Sequence, residues 1–205
     1  MAKPSLLSIY QSLAAEYGPQ HWWPARTRTE MIIGSILTQN TAWTNVEKAL
    51  STLRKNSALN FQTLEKTPAD QIAEWIRPAG YFNQKAACLK AFAAVLKESG
   101  GSIDRLFRLE TPDLRKQLLG VKGIGQETAD CILLYAAKRS VFVVDAYTRR
   151  LLAQVGYTRE SETSYEAISM LFAAALPADV QLYNEFHALI VRWGKDHPKS
   201  KLKTV

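Results

Sequence analysis

The chain has 205 residues, of which 47% are hydrophobic and 22% charged, a composition that supplies a hydrophobic core and argues against intrinsic disorder. Its 26 Lys and Arg residues outnumber 19 Asp and Glu residues, for a net charge of +7, which fits either a polyanionic partner such as nucleic acid or simply a basic protein. Two cysteines are too few for a disulfide framework. The start of the sequence lacks a signal-peptide pattern, and no apolar run approaches the roughly 18 residues that span a bilayer. We therefore expect a cytoplasmic protein without a membrane partner.

Apolar residues recur at helical spacing along almost the whole chain, which predicts an all-α protein. In chain order the predicted helices cover residues 5–17, 28–37, 45–53, 68–77, 83–97, 111–119, 126–137, a stretch after 145, 165–175 and 182–193. The polar residues 38–41 are predicted to form a turn. Residues 141–144 could be a short strand, but no partner strand is evident nearby, so we expect a buried extended segment.

Closely spaced glycines mark the turn between two of these helices. Gly123 and Gly125 flank Ile124, and they would allow a tight turn that exposes backbone N–H groups at the start of the next helix. Phosphate is the natural ligand of such a helix start, so Lys122 and Gln126 join the two glycines as candidate phosphate contacts. An ordinary αα-hairpin with glycine in its turn is the alternative for this spacing alone.

Asp145 follows the apolar run and precedes a predicted helix. On position alone it is a helix N-cap, because an aspartate in this place normally accepts hydrogen bonds from the first turn.

The hairpin segment 118–130, LLGVKGIGQETAD, resembles the helix-hairpin-helix of the endonuclease III superfamily of DNA glycosylases, with Val121 in place of the leading leucine. In that superfamily an apolar residue and an aspartate follow the hairpin, as Val144 and Asp145 do here. The resemblance implies that Asp145 is the catalytic carboxylate, which stabilises the oxocarbenium-like sugar and orients the attacking water. An N-cap role and this role can coexist.

The same resemblance separates two kinds of enzyme. Bifunctional members carry a lysine 18 residues before the aspartate, and this lysine forms a Schiff base with the sugar. Glu127 occupies that position, and a carboxylate cannot form the adduct. Lys122 lies on the turn instead, where we expect it to meet phosphate. The resemblance therefore implies a monofunctional enzyme without AP-lyase activity.

Four further stretches resemble the 3-methyladenine DNA glycosylase branch of this superfamily: 22–24, 34–43, 77–86 and 183–191. An N3-alkylated purine is a flat cation with a weakened glycosidic bond, so its enzyme needs an aromatic pocket more than a strong acid. Packing anchors are the alternative role for loop tryptophans. The residues that the resemblance assigns to the base pocket are Trp22, Trp23, Pro24, Trp43, Phe82 and Lys195.

A base buried in the duplex must be extruded before it can be excised. Asn40 and Tyr81 lie where relatives place the wedges that fill the gap. The alternatives are local capping for Asn40 and half-burial for Tyr81.

Cofactors are not expected. Many relatives end in four cysteines that hold an iron–sulfur cluster, whereas residues 194–200 here contain none, so we expect neither a cluster nor another metal. The basic tail is a candidate to replace the cluster in structure or phosphate contact. His187 is interpreted as a packed helix residue, and Arg150 as structural. A monovalent cation on the hairpin carbonyls is left open.

Together these observations predict an all-α, two-lobed helix-hairpin-helix glycosylase fold with a DNA-binding cleft between the lobes. Residues 27–138 would form a six-helix barrel, and residues 1–26 with 139–205 the second lobe. The main hypothesis is a monomeric, monofunctional DNA glycosylase that acts in base excision repair on 3-methyladenine or related alkylated purines in double-stranded DNA. A glycosylase for oxidised pyrimidines or mismatched adenine is one alternative, and a non-catalytic DNA-binding module is another.

Overall fold

The helical periodicity is realised throughout the computed structural model, which describes residues 3–198. Within that range the chain forms no strand, so the all-α prediction is confirmed. The helices are α1 Leu6–Tyr17, α2 Arg28–Leu37, α3 Trp43–Lys55, α4 Phe61–Lys66, α5 Ala69–Trp75, α6 Phe82–Glu98, α7 Ile103–Leu106, α8 Thr111–Leu119, α9 Gln126–Cys131, α10 Ala146–Gln154, α11 Thr158–Ser161, α12 Tyr165–Ala175 and α13 Val180–Asp196. None of the helices in the described part of the chain is long and apolar enough to cross a membrane.

The differences from the predicted elements are local. Helices α4, α7 and α11 were not predicted, because each has only four to six residues and is too short to show a period. Helix α3 begins at Trp43, two residues before its predicted start. A 3₁₀ turn, Arg77–Ala79, separates α5 from α6, and α9 continues into a π-helical segment, Ile132–Ala136.

The chain divides into two compact units. The first unit comprises the described parts of Met1–Trp22 and Lys138–Val205, and the second unit is Trp23–Ala137. The sequence placed these boundaries at 26/27 and 138/139. The cleft expected between two lobes stays a prediction.

Helix α2 forms the centre of the second unit. Its residues from Glu30 to Leu37 are all buried, and it packs against α3, α6, α9 and the π-helical segment. An all-round apolar helix is stable only when neighbours cover every face, as they do here. The ends of α2 and α6 therefore set the positions of the turns that follow and precede them.

In the first unit, α13 packs against α1 and α10. Phe142 stacks on Phe172 with ring centroids 3.8 Å apart, and Phe186 of α13 meets both rings edge-on. The segment from Phe142 to Val144 is buried and non-helical, as predicted. This aromatic core fixes the end of that segment, and hence the start of α10, against α13.

Candidate active site

Asp145 is the N-cap of α10 and belongs to a complete capping box. Its Oδ1 accepts hydrogen bonds from the backbone N–H of Thr148 (2.7 Å) and from the Thr148 hydroxyl (2.9 Å), and its own N–H donates to the Thr148 hydroxyl (3.3 Å). Thr148 is fully buried, so this arrangement is shielded from competing water. The N-cap role of Asp145 is therefore real, and it holds the carboxylate in one orientation.

The second carboxylate oxygen of Asp145 faces α13. Its Oδ2 lies 3.7 Å from Nε2 of His187, and the two side chains are only 11% and 7% exposed. Burial raises the pKa of Asp145, but the neighbouring imidazole of His187 and the hydrogen bonds from Thr148 outweigh this effect, so the pKa lies below its usual value. The carboxylate is consequently ionised at neutral pH in a nearly dry environment.

His187 is the functional candidate that the sequence reasoning missed. It is buried, as expected for a packed helix residue, but its imidazole is aimed at the candidate catalytic group. The pair is brought together by the packing of α10 on α13, which residue spacing cannot reveal. The only signal was that His187 lies within the stretch 183–191, one of the four that carry the resemblance.

The glycine turn joins α8 to α9 as predicted. Val121 and Ile124 are buried and pin the turn, while Lys122, Gly123 and Gly125 are exposed. Gly123 has a φ of 96°, where a side chain is strained, and a Cβ added to it would lie 3.0 Å from Cβ of Cys88. Both observations require glycine at this position.

The start of α9 has no side-chain cap. Gly125 is its N-cap in an extended conformation, with no side-chain cap hydrogen bond, and Gln126 and the exposed Glu127 form its first turn. Glycine as a cap leaves room for a phosphate to approach the N-terminal backbone. The phosphate contacts of Lys122 and these residues stay a prediction.

Two polar links hold the hairpin. Arg115 of α8 makes a two-point ion pair with Asp130 of α9, at 2.7 and 3.1 Å, and Asp130 is 1% exposed. Gln39 donates to the carbonyl of Gly123 (3.0 Å) and to the hydroxyl of Thr128 (2.9 Å). The turn after α2 is thereby connected to the glycine hairpin. A cation on the hairpin carbonyls stays a prediction.

Trp23 and Trp43 lie together in the second unit. Their ring centroids are 5.4 Å apart at 86°, and Trp23 also meets Tyr135 at 5.3 Å and 62°. Gly34 lies under the pair, because a Cβ added there would be 3.3 Å from Nε1 of Trp23. Tyr135 was not predicted; it lies in the π-helical segment, a feature frequent at functional sites but invisible in the sequence.

The other predicted pocket residues are more dispersed. Phe82 is half-buried beneath the guanidinium of Arg77, 4.7 Å from its ring centroid, and Pro24 is exposed. Trp22 is half-buried and Lys195 exposed, and both belong to the first unit. A single base pocket made of all six residues stays a prediction.

Both predicted wedge residues lie at exposed turn tips of the second unit. Asn40 has a φ of 52° and Tyr81 a φ of 44°, and Tyr81 is 63% exposed. Half-burial, the alternative considered for Tyr81, is wrong, because its side chain is largely exposed. A left-handed backbone is costly for residues other than glycine and concentrates at functional turns.

The C-terminal end of α13 is fastened by Arg150, in the structural role expected for it. Its guanidinium donates to the carbonyls of Gly194 (3.1 Å) and His197 and lies between the rings of Tyr147 and Trp193. Residues 199–205, the rest of the basic tail, lie outside the described residues.

Within residues 3–198, no cluster of three or more His, Cys, Asp or Glu side chains could hold a metal ion. Cys88 and Cys131 are buried free thiols, and burial raises the pKa of Cys88 to about 11. The expectation that the protein needs neither a metal ion nor an iron–sulfur cluster stays a prediction.

Comparisons with known proteins identify the family of the chain. Residues 33–176 match the family model described as HhH-GPD superfamily base excision DNA repair protein. A putative DNA repair glycosylase of Methanocaldococcus jannaschii is 42% identical over 198 residues, which cover 96% of this chain and 90% of that protein. The chain belongs to the HhH-GPD superfamily of base excision DNA repair proteins.

Solved structures extend the likeness to nearly the whole length of the chain. The 3-methyladenine DNA glycosylase of Helicobacter pylori, solved with bound 1,N6-ethenoadenine, superimposes with a TM-score of 0.83 at 28% identity, covering 98% of this chain and 100% of that one. A non-covalent endonuclease III–DNA complex superimposes with a TM-score of 0.81 at 18% identity, covering 96% of this chain and 87% of that one, and shares the fold.

A second relative was found by sequence. Endonuclease III of Sulfolobus acidocaldarius is 28% identical over 171 residues, 83% of this chain and 74% of that protein.

Proposed function

We propose that this member of the HhH-GPD superfamily is a monofunctional DNA glycosylase, which hydrolyses the N-glycosidic bond of an extruded alkylated purine such as 3-methyladenine in double-stranded DNA. The observation that carries the proposal is the carboxylate of Asp145, which is nearly buried, has a lowered pKa, is held in place by Thr148 and faces His187 at 3.7 Å. A carboxylate in this state can stabilise a positively charged sugar without first being deprotonated.

The reaction follows from the charge of the base. When the C1′–N9 bond of an N3-alkylated adenine breaks, the bonding electron pair goes to the cationic base, which leaves neutral. The positive charge moves to the sugar, where the Asp145 carboxylate stabilises it. Water then adds its oxygen to C1′ and passes a proton to the Asp145 carboxylate, which returns it to the solvent, so the products are the free base and an abasic site. Asp145 needs only one oxygen for this task, and its other oxygen is anchored to Thr148.

DNA would be held through its phosphates. The net charge of +7 favours binding to a polyanion, and the exposed hairpin presents Lys122, Gly123 and Gly125 together with the start of α9. Contacts of this kind position the protein without reading sequence. A damaged base can occur in any sequence, so this form of binding suits a repair enzyme.

The aromatic residues support an alkylated purine as the substrate. Trp23 and Trp43 form one cluster in the second unit with the buried Tyr135 packed against Trp23, and an aromatic face stacked on a base contributes about 1–3 kcal/mol. A cationic base gains further from the negative ring faces. The bound 1,N6-ethenoadenine in the H. pylori relative shows that a protein of this fold accepts a modified adenine.

A hydrolytic outcome without strand cleavage is supported by Glu127. It occupies the position of the Schiff-base lysine in bifunctional relatives and is exposed in the first turn of α9. A carboxylate has no nitrogen with which to form the covalent adduct. We further propose that the enzyme acts as a monomer and needs no metal or iron–sulfur cofactor.

The substrate is tested with a panel of duplexes. Purified protein is incubated with dimethyl-sulfate-treated DNA, with thymine glycol duplexes, with A·G mismatches and with undamaged DNA, and released bases are measured by chromatography. We expect release of 3-methyladenine from the methylated DNA and little from the others. Preferential excision of thymine glycol or mismatched adenine would replace the alkylated purine as substrate. Binding to all four without release of any base would identify a non-catalytic DNA-binding module.

A further inference from the structure

Lys85 is an unusual residue in the second unit. It lies in the first turns of α6 and is only 2% exposed. Its Nζ donates to the carbonyl of Leu37 at 2.9 Å and to the carbonyl of Ala79 at 2.8 Å. A buried ammonium is costly unless its hydrogens are taken up. Burial lowers its pKa to about 8, so the ammonium still carries its charge at neutral pH.

The two carbonyls belong to the ends of two different elements. Leu37 is the last residue of α2, and Ala79 is the last residue of the 3₁₀ turn before α6. Carbonyls at helix ends lack an intrahelical partner, and a cation is favoured there by the helix dipole. One ammonium therefore ties together two chain segments that the sequence separates widely.

Each of the two element ends that Lys85 connects leads directly into a turn that carries a predicted wedge residue; we call these the wedge turns. Asn40 follows Leu37 by three residues, and Tyr81 follows Ala79 by two. Both tips are exposed and have a left-handed backbone, with φ of 52° and 44°. A strained turn persists only where the surrounding structure fixes it, and Lys85 is buried at the base of both.

We propose that Lys85 is a positioning residue that fixes the spacing of the two wedge turns, so that Asn40 and Tyr81 enter the DNA together when a base is extruded. The proposal rests on the proposed function, since it takes these two residues as wedges. Nothing in the excision chemistry requires Lys85, which touches neither Asp145 nor the hairpin glycines through its two hydrogen bonds. Its loss should therefore impair extrusion before it impairs DNA binding.

The same helix supplies a matched control. Lys90, also in α6, donates through Nζ to the carbonyls of Glu65 (2.8 Å) and Thr67 (2.6 Å) at the end of α4. Replacing either lysine with methionine removes one ammonium from carbonyls at a helix end. Only Lys85 lies beneath the wedge turns, so the pair of variants separates a general loss of stability from a specific loss of wedge position.

The experiment uses a duplex with a tetrahydrofuran abasic analogue flanked by 2-aminopurine, whose fluorescence rises when neighbouring bases unstack. Fluorescence on binding, duplex affinity and cooperative urea unfolding are measured for the wild type, Lys85→Met and Lys90→Met. We expect Lys85→Met to lose most of the fluorescence rise while its affinity falls less than threefold, and Lys90→Met to resemble the wild type. If Lys85→Met does not fold, Lys85→Gln, which keeps a shorter polar group, takes its place with the same expectation.

Each other outcome is decisive. An undiminished fluorescence rise in Lys85→Met, or an equal loss in Lys90→Met, overturns the positioning role. Excision of methylated bases is measured in parallel: if the wild type unstacks the duplex but excises no alkylated purine, the proposed substrate fails while the two lysine variants still decide the role of Lys85. If the wild type neither unstacks nor excises, the wedges and the role of Lys85 are both rejected.

Discussion

The imidazole of His187 and the carboxylate of Asp145 lie 3.7 Å apart, between Nε2 and Oδ2, where α13 packs against the start of α10. The other carboxylate oxygen is held by the backbone and hydroxyl of Thr148. The two oxygens thus have different tasks: one anchors the side chain to the helix, and the other faces a histidine that favours its ionised form. This asymmetry is the basis of the first two predictions.

Replacing His187 with asparagine should shift the pH dependence of base excision. The proposed function needs an ionised Asp145, whose pKa is lowered in the wild type, so the wild-type rate should persist to a pH below the usual range of an aspartate. Without the histidine, the effect of burial is opposed only by Thr148, and the pKa of Asp145 should rise. The acid limb of the single-turnover pH–rate profile should therefore move to higher pH in His187→Asn. An unmoved acid limb would mean that the histidine does not set the charge of Asp145.

Replacing Thr148 with valine should lower both the stability of the fold and the rate of base excision. The change keeps the buried volume but removes the hydroxyl from the capping box, which should lower the free energy of unfolding by about 1 kcal/mol. The carboxylate would lose one of its two anchors, and the excision rate should fall. Ser5→Ala is the control, because Ser5 caps α1 through the N–H of Ser8 at 3.1 Å in the same unit. Ser5→Ala should lose a similar free energy of unfolding in urea and keep its excision rate. An equal loss of excision rate in both variants would show that the Thr148 hydroxyl has no specific role in anchoring the carboxylate.

The position of Glu127 predicts how a lyase could be made. The wild type should give no covalent protein–DNA adduct with borohydride, because a carboxylate cannot form a Schiff base. Glu127→Lys places an amine where bifunctional relatives carry theirs, and a trapped adduct should then be detectable on a denaturing gel. An adduct formed by the wild type itself would show that another lysine attacks the sugar and that the enzyme is bifunctional.

Two glycine variants separate strain from DNA contact. Gly101→Ala meets no atom within 4 Å but has a φ of 75°, so it should lose about 1 kcal/mol of unfolding free energy through backbone strain alone. Gly123→Ala adds to its strained φ of 96° a contact at 3.0 Å with Cβ of Cys88, which must distort the hairpin. We expect it to weaken duplex binding in a fluorescence-anisotropy titration, whereas Gly101→Ala should bind as the wild type does. Equal binding by both variants would remove the hairpin from the DNA interface.

Much of the fold could be predicted because long helices repeat their apolar residues often enough to show a period. Helix α2 is an example, with every residue from Glu30 to Leu37 buried as its dense pattern indicates. The one-turn helix α7 contains a single buried residue, Leu106, and offers no period at all. The π-helical segment differs from an α-helix only in its hydrogen-bond register, which its apolar side chains do not specify.

The candidate site was predictable where chemistry lies in contiguous residues and not where it depends on tertiary contact. The hairpin glycines and the aspartate after an apolar run are local patterns. The links from His187 to Asp145, from Tyr135 to Trp23 and from Lys85 to two distant carbonyls arise from helix packing. A buried lysine or histidine looks in sequence like any polar residue on the edge of a helix, so these roles required the structure.

The proposed catalytic role of Asp145 is tested by the single-turnover release of 3-methyladenine from methylated duplex DNA, measured for the wild type and for Asp145→Asn. Asparagine is as good an N-cap as aspartate, so the variant should keep its fold, confirmed by urea unfolding, and its affinity for DNA. We predict that its excision rate falls by at least about 100-fold, as expected when the group that stabilises transition-state charge is removed. Release of the base by Asp145→Asn at the wild-type rate would contradict the assignment of this carboxylate as the catalyst.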